Sequence, residues 1–358
     1  MLQFLNQSIL GTSGVSFTPK HLFAAGEQGA WYDPPDLTTL FQDSAGTIPV
    51  TAVEQPVGLI LDKSGRGNHA SQSTATKRPT YSARYNLLLA TETLSTQNVT
   101  TAATTYTLTF GGAGSITLSG TKTGTYTAGT HSLTGVTAGT LTLTVSGSVT
   151  QADIRPANDG VGLPAYQRVT TATDYDTVGF PPYLRFDGVD DALATDSINF
   201  TGTDKMAVFV GARRATGAQC LVELGTTSES LGGFYLFSEA ISSNTATFAA
   251  RGGRVGQGND SASPNWLRDS SAVISCYADI NAGLPIKSRT NGGAFENSVN
   301  TTFGGGNFRT YPIYIGARVG TGYYFNGRIY SLIVRGAQTS DAQIAQVETY
   351  LNQRAKVY

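Results

Sequence analysis

The stretch from Asn86 to Arg155 constrains the chain most. In "TTYTLTFGGAGSITLSGTKTGTYTAGTHSLTGVTAGTLTLTVSGSVTQADIR" apolar residues alternate with Thr or Ser, as in Tyr106-Leu108-Phe110, Ile116-Leu118 and Leu141-Leu143-Val145. Side chains on a strand point to opposite faces in turn, so this period of two gives one dry and one wet face, and the Gly-rich breaks are turns. A flexible Gly/Ser/Thr linker has no reason to space apolar residues this way. Residues 86–160 therefore read as a small β-sandwich of their own.

The rest of the chain agrees with strands. Only 14% of its 358 residues are charged, against about a quarter in an ordinary soluble protein. Thr, Ser, Gly and Asn must cover the surface, and 42 glycines suit many short strands joined by tight turns. All-β is the expected class, with length enough for two domains or one large domain carrying an insertion. Basic and acidic residues, 24 and 25, are interspersed and leave a net charge of −1, which disfavours nucleic acid and anionic membranes as partners. Cys220 and Cys276 lie far apart in apolar stretches and read as buried free thiols. With no charged leader and no apolar run of spanning length, the chain is expected to be soluble, without a recognisable export signal and without membrane insertion.

Residues 1–20 show no clean period and read as an extended N-terminal arm for docking onto a neighbour. "VGLILDKSGRGNHA" gives an apolar strand and a polar turn in which Gly65 and Gly67 are free to take positive φ. After a Pro/Gly-rich join, "PYLRFDG", "MAVFVGA", "CLVEL", "GFYLF", "AVISCYAD", "YPIYIGA" and "GRIYSLIVRG" are buried-type strands. The last segment, "TSDAQIAQVETYLNQRA", predicts a helix: Ser340 and Gln343 form a capping box, and Ile344, Val347, Leu351 and Ala355 line one face. A sheet edge or sandwich end is its expected seat.

"LRFDGVDDAL", "MAVFVGAR", "YPIYIGAR" and "YYFNGRIYSLIVRGAQTSDAQIAQVETYL", with "LILDKSGRGNHA" upstream, resemble the laminin-G-like, concanavalin A-like jelly roll. The resemblance implies a discontinuous jelly roll, residues 21–85 and 161–358, interrupted by 86–160 and closed by a short C-terminal helix. "GEQGAWYDPPDLTTLFQDSAGTIPVT" and "YQRVTTATDYDTVGFPPYLRFDGVDD" further resemble virion proteins of tailed bacteriophages, and the insert is similar to carbohydrate-binding-like or head-spike-type sandwiches. That likeness is associational rather than mechanistic.

Asp187, Asp190 and Asp191 crowd one corner, "FDGVDDAL". The preferred reading is a turn at Gly188 in which carboxylates accept local N–H bonds; three carboxylates with free carbonyls are also what Ca²⁺ seeks, but EF-hand spacing is absent. Asp62, Ser64 and Asn68 present the same choice and receive the same answer. Asn326 and Gly327 are expected as a further turn. Glycosidase chemistry asks for two carboxylates about 5–10 Å apart. The nearest approximations are Glu223 with Glu229, too widely spaced for one strand face, and Asp174 with Asp176, which lie in the join. His21, His69 and His131 have no triad companions, and "GGRVGQG" and "FGGGN" lack the strand and helix that frame a phosphate loop. Trp266, Tyr323 and Tyr324, in Gly/Asn-rich loop contexts, are the candidates for stacking on a sugar, with core anchoring as the alternative for each.

The expectation is a non-enzymatic phage virion protein without cofactor, tail-associated as a fibre or receptor-binding part. Its arm would meet other virion proteins, its loops a glycan or protein on the host surface, and its copies would form a homo-oligomer, a trimer by expectation. It would be assembled in the bacterial host cytoplasm. Capsid decoration, as a head fibre, and a glycan-degrading depolymerase on the same scaffold stand as alternatives.

Overall fold

The computed structural model describes residues 17–215, 217–227, 230–238, 244–252, 259–282, 286–298 and 305–358. All but the last four residues of the expected arm lie outside these, as does Glu229.

Two antiparallel sheets face each other across one core. The eight-stranded sheet runs Glu296–Asn297, Ile286–Thr290, Ser271–Asp279, Lys205–Arg214, Asn326–Arg335, Tyr183–Asp187, Thr80–Ser82. One edge of Asn326–Arg335 serves two partners: its first half pairs with Tyr183–Asp187 and its second with Gly29–Tyr32. The nine-stranded sheet runs Asn259–Ala262, Ala246–Arg251, Phe234–Ser238, Gln219–Leu224, Ile313–Ile315, Leu193–Thr195, Ala70–Ser71, Leu59–Ile60, Leu40–Phe41. Segments from before and after the Thr-rich stretch thus share both sheets. Val208 and Val210 from one sheet and Phe234, Leu236, Phe248, Ile313 and Ile315 from the other meet in the buried layer between them, each contributing about 1.5–3 kcal/mol of apolar burial.

The helix forms at Asp341–Ala355 with the capping box in place: the Gln343 N–H donates to Ser340 Oγ, and the Ser340 N–H to Gln343 Oε1. It lies on the outer face of the eight-stranded sheet rather than at an edge or end. There Ile344, Val347 and Leu351 pack on Phe209, Val273 and Ile333, because that face is apolar too and a two-sided apolar sheet needs cover on both sides. Glu348, buried on the same helix face, accepts from Ser275 Oγ at 2.7 Å and from Arg289 Nε and Nη2 at 2.8 Å each. No helix among the described residues is long and apolar enough to cross a membrane.

The Thr-rich stretch makes a third sheet of five strands, Gln97–Thr101, Tyr106–Gly120, Gly124–Leu133, Gly139–Ser146 and Thr150–Pro156, around its own core of Leu108, Phe110, Ile116, Leu118, Leu141, Leu143 and Ile154. It is one bent sheet, where two packed sheets were expected. Tyr106–Gly120 breaks register between Phe110 and Ser115, so that one end pairs with Thr150–Pro156 and the other with Gly139–Ser146. Gly112 permits the bend: its φ is +95°, and a side chain there would collide with the Ser148 carbonyl. Where the chain enters and leaves this unit, Asn86 and Gln167 are fully buried and interlocked. Gln167 Oε1 accepts from the N–H groups of Tyr85 and Asn86, and Asn86 Nδ2 donates to the Gln167 carbonyl at 3.0 Å. Asp159 then ties the unit to the eight-stranded sheet through Arg213 Nε and Arg328 Nη1, both at 2.8 Å.

Candidate functional site

The acidic corner serves the chain itself. Asp187 Oδ1 accepts from the N–H groups of Val189 (2.8 Å) and Asp190 (3.3 Å), and Asp191 Oδ2 accepts from the Asp187 N–H (3.0 Å). Gly188 turns at φ +78°, with the position of an added Cβ only 2.7 Å from Asn326 Cβ. An oxygen from each of the three carboxylates lies within 4.8 Å of the others. Burial pushes Asp191 up to about 7, and the Asp187 charge adds to it.

The Asp62 turn is likewise saturated. Its carboxylate accepts from the N–H groups of Trp31, Ser64 and Asn68 and from Ser64 Oγ. Gly65 and Gly67 take φ of +88° and +76°, and Asn68 Nδ2 reaches the Gly29 carbonyl at 2.7 Å. This turn pins the strand Gly29–Tyr32. Asn326 and Gly327, expected as a turn, open the strand Asn326–Arg335, opposite Asp187 and Phe186. Glycine is needed at 327 for close approach, since a side chain there would collide with the Arg213 carbonyl.

Of the three candidate sugar-stacking rings, Trp266 takes the core-anchor role. It is 1% exposed, donates from Nε1 to the Ser270 carbonyl at 3.0 Å and lies under the Arg214 guanidinium. Its sequence context looked like a loop because Trp266 lies between the strands Asn259–Ala262 and Ser271–Asp279. Tyr324 is half-buried and stands outside the ring contacts among the described residues. Tyr323, at φ +48°, holds its ring 55% exposed.

Tyr323 belongs to a cluster on the outer face of the nine-stranded sheet. Strand alternation sends Phe234 and Leu236 inward and Tyr235 and Phe237 outward, as it sends Ile313 and Ile315 inward and Tyr314 outward. Register sets Tyr235, Glu223 and Tyr314 opposite one another on three neighbouring strands. Tyr235 and Phe237 meet edge to face at 5.1 Å, Phe237 and Tyr323 at 5.3 Å. The Arg318 guanidinium lies over all three rings, 5.1, 5.3 and 5.9 Å from their centroids. Glu223 fixes this arginine from below: Oε1 lies 3.4 Å from Arg318 Nε, and Oε2 accepts from the Val319 N–H at 2.7 Å. Burial pushes the Glu223 carboxyl up, while Val319 and Arg318 pull it down, and the net shift is upward. A rigid aromatic wall beside a held guanidinium and carboxylate can stack on an apolar ring face and hydrogen-bond hydroxyl groups.

Of the carboxylate pairs weighed and set aside in the sequence, Asp174 and Asp176 flank Arg168 on an exposed loop, and Glu223 pairs with arginine. Arg318, Tyr235 and Phe237 were missed by sequence reasoning. The available signal was an acid inside the apolar strand "CLVEL" and the alternation of "FYLF"; Arg318 arrives from 95 residues away and gave none.

No family model matches the chain, and no curated protein matches it. Among solved structures it is similar to the CBM40 of the Ruminococcus gnavus IT-sialidase bound to α2,3-sialyllactose, at 15% identity and TM-score 0.33, covering 43% of this chain and 97% of that one. It is also similar to the K499G mutant of the NanB sialidase from Streptococcus pneumoniae (15%, TM-score 0.32, 46% of this chain and 27% of that one). A GH54 α-L-arabinofuranosidase soaked with a cyclic sulfate inhibitor aligns over 96% of this chain and 66% of its own (11%, TM-score 0.41). These are carbohydrate-binding-module and glycosidase β-sandwiches, and likeness at this level reaches no further than the architecture. It does correct one expectation: with glycoside hydrolases among the similar structures, the exclusion of enzymatic activity does not stand.

Proposed function

We propose that the chain recognises glycans on the outer face of its nine-stranded sheet. The observation that carries this is the Arg318 guanidinium held by Glu223 among Tyr235, Phe237 and Tyr323. The exposed Tyr323 ring offers a sugar a flat apolar face at little cost in side-chain entropy, and the held Arg318 guanidinium can donate to its hydroxyls. Affinity electrophoresis in gels containing bacterial polysaccharides tests it. Retardation that Tyr323→Ala removes supports the reading; mobility unaffected by every polysaccharide refutes it.

A second reading, cleavage of the bound glycan, is favoured by Glu223. A buried carboxyl raised above its ordinary range is suited to donating a proton to a glycosidic oxygen. Reducing-end release by the native chain and its loss in Glu223→Gln would separate cleavage from binding. Placement on a phage particle, at the tail or on the capsid, rests on the sequence resemblance. Immunogold electron microscopy of intact particles is its test.

A further inference from the structure

We infer that the strand Gly124–Leu133 is an assembly edge that pairs antiparallel with the same strand of a second copy of this chain.

This ten-residue strand hydrogen-bonds on one side only, to Tyr106–Gly120. Among the described residues, no backbone bond from another segment reaches its second side. Two other edges are covered. The Tyr81 carbonyl accepts from the Glu54 N–H and the Tyr81 N–H donates to the Gln55 carbonyl, beside Thr80–Ser82. The Leu87 N–H to the Ile154 carbonyl and the Ala152 N–H to the Thr91 carbonyl do the same for Thr150–Pro156. An uncovered edge is ordinarily guarded by Lys, Pro or a short length. Gly124–Leu133 has none of these: between Glu92 and Asp153 the single Asp, Glu, Lys or Arg is Lys122, and its Nζ is turned onto the Thr134 carbonyl at 2.7 Å.

The occupant follows from charge and symmetry. A strand without charge repels neither itself nor a neutral partner, and a second copy is the partner always present at equal concentration. A two-fold axis normal to the sheet keeps each face on its own side, so at the strand's middle it sets Ala128, with Gly129 beside it, against its own copy. Those two are small and exposed, which allows close approach on the axis. Outward from the axis, Tyr126 meets Thr130 and Thr125 meets His131 as uncharged polar pairs, of the kind that already join Thr109 to Thr130 and Thr117 to Thr125 within this sheet, while Thr127 faces Gly129. Ten residues a side is fewer than the roughly 20–30 of a stable complex, so the association is weak and concentration-dependent, as in strand addition generally.

Sedimentation velocity over a concentration series on the full chain tests this with Ala128→Lys and Ala128→Glu. Position 128 is exposed, and unchanged far-UV circular dichroism verifies that each variant folds. The native chain should self-associate, each variant alone should associate about tenfold more weakly, and an equal mixture of the two should recover the association, since Lys then faces Glu on the axis. A native chain that stays monomeric throughout overturns the inference. So does association, dimeric or trimeric, that Ala128→Lys leaves unchanged, or a loss in both variants that mixing does not restore.

Discussion

Asp33 and Arg354 join the first strand to the last helix across 321 residues: Asp33 Oδ1 accepts from Arg354 Nε at 3.1 Å and Oδ2 from Nη2 at 3.0 Å. Asp33 is 1% exposed and also holds Lys63 Nζ at 3.2 Å, while Lys63 lies over Trp31. A bidentate pair on a buried carboxylate binds more strongly than a surface pair. Asp33→Ala is expected to cost about 2–3 kcal/mol in urea denaturation, since it leaves the Arg354 guanidinium without its carboxylate, while Lys63 keeps Asp36 at 2.7 Å. A loss below about 0.5 kcal/mol would show that the clamp contributes nothing.

Asp159 stands between two arginines, and the Arg328 side chain, 12% exposed, lies between the Tyr85 and Tyr183 rings. Asp159→Ala leaves that charge uncompensated and should cost about 3–5 kcal/mol, more than Asp33→Ala despite the similar bond count. Calorimetric melting of the two variants side by side checks the order.

Asp191 gives the fold a pH dependence with a definite sign. Its folded carboxyl, raised to about 7, binds a proton more tightly than in the unfolded chain. Stability from this group is therefore full below about pH 4 and declines as pH rises towards 7, levelling off above. Asp191→Asn keeps an oxygen for the Asp187 N–H and removes the charge. It should raise the melting temperature at pH 8, leave it unchanged at pH 4 and flatten the profile between.

Gly188 and Gly67 have nearly the same positive φ but different neighbours. An added Cβ at 188 presses on Asn326, whereas at 67 nothing lies within 4 Å. Gly67→Ala should cost about 1 kcal/mol of backbone strain, and Gly188→Ala at least about twice that, because overpacking adds to the strain. Equal losses would mean that the corner yields freely.

Tyr323 and Trp266 should separate recognition from stability. Trp266→Ala empties a core position and is expected to cost about 3–5 kcal/mol, while Tyr323→Ala, at an exposed ring, should move stability by at most about 1 kcal/mol and abolish polysaccharide retardation. Retardation that survives Tyr323→Ala would move the binding face elsewhere.

The all-β class, the helix and its cap, and the dry face of Tyr106, Leu108 and Phe110 were legible in the sequence because each is a local pattern of period two or 3.6. The Asp187 corner was legible for the same reason: its hydrogen bonds span two to four residues. The seat of the helix was not, since it depends on which sheet face has no other cover. Nor was the strand role of Asn326-Gly327, where a turn-like dipeptide is overridden by ladder partners far away in the chain. Most of the candidate site was illegible. Glu223, Tyr235 and Tyr314 are neighbours only through strand register, and Arg318 only through a loop that folds back over them.

The strand Gly29–Tyr32 finds its partner only at Leu332–Arg335. A ribosome adding about 5–20 residues per second must make about 300 more before that pairing can begin, so for roughly 15–60 s the residues of this nascent strand wait without their ladder partners. Yield in the cell is then governed by what shields them during translation, and co-expressed holdase chaperones should raise it more than any gain in the finished fold's stability.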